Sequence, residues 1–196
     1  DRVILGSIGV RGRGSNLLEN FSEMYNDGVH IKTVCDVDSA VLGDNVKMAA
    51  KNQKGNKPGT EEDMRRVFED KEIDAVVVAV PNHWHALATI WACQAGKHVY
   101  VEKPSSHNVW EGRKMVEAAR KYNRVVQVGF QNRSISNVMQ AMDFLHRGGI
   151  GEVFLSRGTC FKPRDSFGIT PDSVSPSTLN YDLWLGPATY RPYNEK

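Results

Sequence analysis

The chain has 196 residues, 40% hydrophobic and 24% charged, with 25 basic against 23 acidic side chains. A net charge of +2 provides no global field for nucleic acid or a membrane surface, and no apolar run approaches the roughly 20 residues of a membrane span. The length suits one domain with a spare segment, or one domain and part of a second. The three cysteines, Cys35, Cys93 and Cys160, lie far apart with no CxxC or zinc spacing, so reduced structural thiols and no metal site are expected.

The elements alternate. Val3–Ile8 is an apolar run suited to a buried strand, and Leu17, Leu18, Phe21, Met24 and Tyr25 recur at helical spacing. Between them lies "GVRGRG": Gly9 and Gly14 hold the outer places of a G-x-G-x-x-G fingerprint, and Arg11 stands at the middle glycine. Ile31–Cys35 is a second strand and Ser39–Lys51 a helix. "NQKGNKPGT" is a loop. Thr60 is an N-cap candidate, with Glu61, Glu62 and Asp63 in the first helical turn, where acids suit the dipole.

"IDAVVVAVP" is β-branched without alternation, the composition of a strand covered on both faces. A helix over His85–Ala95 follows, with Gly96 as C-cap candidate. "KHVYVEKP" is a strand stopped by Pro104, Trp110–Lys121 a helix, "RVVQVGFQ" a strand and Ser136–His146 a helix. Alternation over about 150 residues predicts α/β architecture, a Rossmann-like doubly wound parallel sheet. After Gly151, "EVFLSRGTCF" is a further strand candidate, and a proline-rich tail follows.

In such a sheet, ligands gather at the carboxyl ends of the strands. The first strand ends in Gly9–Gly14, where amides and a helix N-terminus suit a pyrophosphate. The second ends in Asp36, which lies 22 residues beyond Gly14, near the roughly 20 expected for a ribose-binding acid. A carboxylate there repels a 2′-phosphate and favours NAD over NADP. Later strands end in "PNHWHA" (Pro81–Ala86), "EKP" (Glu102–Pro104) and "FQNR" (Phe130–Arg133). Each also has a plain structural reading. Asp36 can be a turn or cap residue beside Asp38, His83 and His85 can cap a helix, Trp84 can be packing, and Lys103 can be a surface lysine. Arg11 and Arg13 can be solvated or pair with phosphate.

Together, "IGVRGRG", "VCDVD", "IDAVVVAVPNHWHA", "GKHVYVEKPSS", "VQVGFQNR", "GGIGEVF" and "WLGPA" resemble the Gfo/Idh/MocA oxidoreductases. These are named for glucose–fructose oxidoreductase, inositol dehydrogenase and a rhizopine-catabolism protein. The resemblance implies a dinucleotide-binding domain over residues 1–149 and the start of an α+β substrate and oligomerisation domain over 150–196. It implies that Gly9, Arg11, Gly12, Arg13, Gly14 and Asp36 hold NAD, with NADP disfavoured. Pro81, Asn82 and His85 would line the nicotinamide pocket, with Glu102 and Lys103 beside the nicotinamide and its ribose. Gln131 would touch cofactor and Arg133 substrate where the two domains meet.

Lys103 is the expected catalytic residue, facing a sugar or polyol whose hydroxyl carbon gives up hydride. A lysine takes the hydroxyl proton only where burial or a neighbouring cation lowers its pKa; otherwise it polarises the oxygen as a cation. An NAD-dependent glycosidase of the same superfamily and a non-catalytic NAD-binding fragment are the alternatives. The expected setting is cytoplasmic, with export through a removed signal peptide left open by the Asp1 start. The complete protein is expected to be a homo-oligomer, with no nucleic-acid or membrane partner.

Overall fold

A computed structural model describes residues 2–160, 163, 165–166 and 168–195. Six parallel strands form one sheet: β1 (Val3–Ile8), β2 (Val29–Cys35), β3 (Gly59–Glu61), β4 (Ala75–Val78), β5 (His98–Glu102) and β6 (Val126–Gly129), in the order β3-β2-β1-β4-β5-β6. This is the doubly wound order, and it reverses direction between β1 and β4. The helices are α1 (Arg13–Glu23), α2 (Ser39–Asn52), α3 (Met64–Glu69), α4 (Asn82–Gln94), α5 (Val109–Lys121), α6 (Ser136–His146) and α7 (Tyr181–Leu185).

Strand alternation divides the core in two. Leu5, Ile31, Val34 and Val77 pack against Leu17 and Leu18 of α1 and Val46 and Ala49 of α2. Ile8, Val76, Val78, Val99 and Val101 face the other way, against α3, α4 and α5 through Val67, Phe68, Ala88, Ala92 and Met115. Both faces are covered, which explains why the central strands read as continuous apolar runs. Lys97 is one of several polar side chains in this interior. It is buried, and its ammonium donates to the carbonyls of Asp70 at 2.5 Å and Ile73 at 2.8 Å. It thereby ties the turn before β4 to the end of α4. Desolvation pulls its pKa down. Gly96, at φ +82°, closes α4 as expected, with Gly96 N–H donating to Cys93 and Lys97 N–H to Ala92.

Two expectations are corrected. Thr60 does not cap α3; it lies in the edge strand β3, paired with Val34. The cap is Asp63, which sits one residue before the first helical turn and accepts from the Arg65 amide. The sequence offers several capping residues in a row, and pairing to β2 takes Thr60 out of the competition.

Residues 152–160 of the "EVFLSRGTCF" stretch form no strand, and Phe161 lies outside the described residues. Val153, Phe154 and Leu155 are exposed. A strand needs a neighbour for its backbone hydrogen bonds, and none lies beside this stretch among the described residues. The tail returns to the sheet farther on. The Ser39 amide donates to Thr178 O, the Asn180 amide donates to Val37 O, and Leu179 bridges Asp38. The α7 backbone then meets the start of α4. Among the described residues, no helix is long and apolar enough to cross a membrane.

Candidate active site

The glycine loop is fixed by contacts that exclude side chains. A Cβ on Gly14 would lie 1.9 Å from Gly9 O, and one on Gly9 would lie 2.6 Å from Ala79 O. The loop is therefore wedged between β4 and the first turn of α1. No side chain caps α1 and no acid occupies its first turn, so the positive end of the helix dipole is left for an anion. The Val10 amide donates to Asp36 Oδ2 at 2.8 Å, and Asp36 Oδ1 accepts from the Asp38 amide at 3.0 Å. Asp36 thus locks the loop to the end of β2. A carboxylate accepts at about four positions, which leaves capacity for ribose hydroxyls.

The two loop arginines diverge. The Arg11 side chain, 68% exposed, leaves the loop towards α2 and pairs with Asp38. It lies along the lip of a cavity of about 300 Å³ lined by Val10, Gly12, Ser15, Ala40, Asp44 and Asn45. Burial pushes the Asp38 carboxyl up, but hydrogen bonds from the Ala40 amide, Thr178 and Arg11 hold it below its ordinary range. The Arg13 side chain turns the other way. Its Nε donates to Glu102 Oε1 at 2.9 Å, and this bond raises the arginine's pKa.

Arg13, Ala79, Val80, Asn82, His85, Glu102 and Lys103 enclose a second cavity of about 120 Å³ at the carboxyl ends of β4 and β5. Glu102 is buried, with its second oxygen accepting from the Lys103 amide at 3.0 Å. A buried carboxylate demands such partners. His85 is also buried, and its ring nitrogens face Pro104 O at 2.5 Å and Val80 O at 2.8 Å. It clasps the turn after Lys103 to the end of β4. Lys103 itself is exposed.

The structure brings Arg13, Asn82, His85, Glu102 and Lys103 to one cavity and Arg11 and Gly12 to the other, with Gly9, Gly14 and Asp36 building the loop between. Pro81 precedes α4 as its N-cap residue. Gln131 and Arg133 lie in the 3-10 turn after β6, exposed, and line neither cavity; the Arg133 guanidinium sits 5.8 Å from the Phe130 ring centre. Trp84 is packing with a polar function, since its Nε1 donates to the carbonyls of Leu183 and Trp184. His83 Nε2 also meets Trp184 O.

The sequence reading missed Asp38, Ser15 and Asn45 as parts of the site. The doublet "DVD" pointed to Asp38 only as a competitor of Asp36. Ser15 donates to Asn45, and Asn45 donates to Val10 O. This link between α1 and α2 leaves no local pattern in the sequence. Cys35 and Cys93 are buried free thiols, and burial, then Asp36, pushes the Cys35 pKa up.

Residues 5–130 match the family model GFO_IDH_MocA, described as an oxidoreductase family with an NAD-binding Rossmann fold. The chain belongs to this family. A glycosyl hydrolase family 109 protein from Shewanella pealeana is 29% identical over 157 residues, covering 78% of this chain and 34% of the relative. A levoglucosan dehydrogenase from Pseudarthrobacter phenanthrenivorans is 37% identical over 97 residues, covering 50% of this chain and 25% of the relative. Among solved structures, an NAD-binding oxidoreductase from Klebsiella pneumoniae superposes with a TM-score of 0.62 at 28% identity, over 78% of this chain and 40% of that one.

The chain therefore spans about a third or less of these curated relatives. As a Gfo/Idh/MocA member it carries the NAD-binding Rossmann fold, and the residues present fit that cofactor. The wedged glycines leave a bare backbone cradle, α1 offers an uncapped N-terminus, and Asp36 stands where a ribose diol would be held.

Proposed function

We propose that the complete protein oxidises a sugar or polyol hydroxyl with NAD. Residues 1–149 would serve as its cofactor domain and 150–196 as the opening of its substrate domain. The observation that carries this reading is the second cavity, where Lys103, Glu102, Asn82 and His85 converge beside the glycine loop at the switch in strand order. The sugar class is supported by the levoglucosan dehydrogenase relative.

Gly9, Gly12 and Gly14 would cradle the pyrophosphate, Asp36 the adenosine ribose, and Pro81, Asn82, His85 and Gln131 the nicotinamide end. When bound, NAD supplies the hydride acceptor. Glu102 holds the Lys103 backbone through its amide, and His85 fixes Pro104, so the lysine leaves a rigid turn. The exposed Lys103 ammonium would donate to the substrate hydroxyl oxygen and stabilise negative charge there, as hydride passes to the nicotinamide and the O–H proton passes to water at the open face of the cavity. Arg133, beyond β6, would meet substrate from the side of the second domain.

A second reading, an NAD-dependent glycosidase, is supported by the family 109 relative. Both are tested by incubating the complete protein and NAD with sugars, anhydrosugars, inositols and aryl glycosides. Net NAD reduction supports the dehydrogenase. Glycoside cleavage with NAD returned unchanged supports the glycosidase. Tight NAD binding with neither reaction refutes both. In the active assay, Lys103→Ala should lower kcat by ~100-fold or more with NAD affinity within about threefold. Equal activity would remove Lys103 from the catalytic set.

A further inference from the structure

We infer that Arg11 is a phosphate ligand held in reserve by Asp38, and that this ion pair, together with Asp36, sets the choice between NAD and NADP. The inference rests on the NAD reading of the groove.

Arg11 replaces the fingerprint glycine that ordinarily lets backbone approach the pyrophosphate. Its side chain does not cover the loop but crosses to the β2–α2 turn and pairs with Asp38. That turn is where a Rossmann fold meets the adenosine ribose, and a nearby arginine is what accommodates a 2′-phosphate. An arginine is therefore already in place, on the rim of a cavity of about 300 Å³.

Two carboxylates oppose its use. Asp36 takes the Val10 and Asp38 amides, and Asp38 takes the guanidinium itself. The Asp38 side chain is only 14% exposed. It is held in place by the Ala40 amide and lies against Thr178 and Leu179. The fork of Arg11 thus faces a fixed partner, and a 2′-phosphate arriving there would compete with a carboxylate while adding negative charge beside it. With an NAD ribose diol no such competition arises, and the pair stays closed.

Asp38→Asn removes the charge while keeping an acceptor for Ala40 N–H, and asparagine is as good an N-cap as aspartate. The test is calorimetric titration of this chain and its variants with NAD and NADP, with circular dichroism to confirm that each variant is folded. The wild type should bind NAD and prefer it to NADP. Asp38→Asn should raise the ratio of NADP to NAD affinity at least tenfold, through stronger NADP binding. Adding Arg11→Gln to Asp38→Asn should return NADP to its wild-type affinity. An unchanged NADP/NAD ratio in folded Asp38→Asn, or a gain that survives Arg11→Gln, overturns the inference while leaving the cofactor assignment intact. A wild-type chain that binds no NAD overturns the cofactor reading of the groove, and this inference with it.

Discussion

Gly14→Ala tests the glycine cradle directly. The added carbon would stand 1.9 Å from Gly9 O, more than 1 Å inside the 3.0 Å that side-chain carbons respect. Gly9 is held in place, because its amide donates to Cys35 O at 2.8 Å and a β-carbon on it would already lie 2.6 Å from Ala79 O. The first turn of α1 must therefore move. Overpacking of this kind costs ~3 kcal/mol, a fall of about 6–12 °C in Tm for a chain of this size. Displacing the helix N-terminus should also weaken NAD at least tenfold, since its amides no longer converge on the pyrophosphate. Thermal unfolding by circular dichroism and NAD titration by calorimetry read the two effects. Gly43→Ala is the control: that glycine is exposed in α2 with nothing within 4 Å of the added carbon, and the change should gain ~0.5–1 kcal/mol. A Gly14→Ala protein that melts with the wild type and binds NAD as well would refute the cradle.

Lys97→Met keeps the buried stem but leaves the carbonyls of Asp70 and Ile73 without their donor. It should cost about 1–3 kcal/mol in denaturant unfolding, and an unchanged midpoint would show that the ammonium contributes nothing. Lys32 hydrogen-bonds Asp70, which holds the Asp70 carboxyl below its ordinary range. A carboxyl depressed in the folded state contributes stability above its unfolded pKa and loses it as pH falls through the folded one. The stability gap between wild type and Lys32→Met should therefore be full at neutral pH and close in acid; a gap that persists in acid would assign it to packing.

Long apolar strands and their terminal residues were legible in the sequence because burial on both faces leaves one pattern, as in Val76–Val78. β3 was not, since its three exposed residues carry no pattern and exist as a strand only through β2. Glu102 and Lys103 were found because Pro104 marks where the strand must stop. Their fastening was not, because His85 clasps Pro104 and Arg13 reaches Glu102 across 89 positions of sequence. The direction of Arg11 could not be read from a loop whose neighbours come from α2. Likewise, the role of Trp84 depends on carbonyls of residues 183 and 184, which the sequence places a hundred positions away.

That last contact changes how the end of the chain is to be understood. Residues 178–184 touch the turn after β2 at one end and the start of α4 at the other, and the described residues between Gly151 and Thr178 form no strand or helix. Because they are joined to the sheet covalently, their contacts with it are intramolecular and benefit from a high effective concentration. A single hydrolysed bond between Gly151 and Thr178 would turn that intramolecular contact into a bimolecular one. The peptide would dilute away, and Trp84 Nε1 and the Ser39 amide would be left facing water.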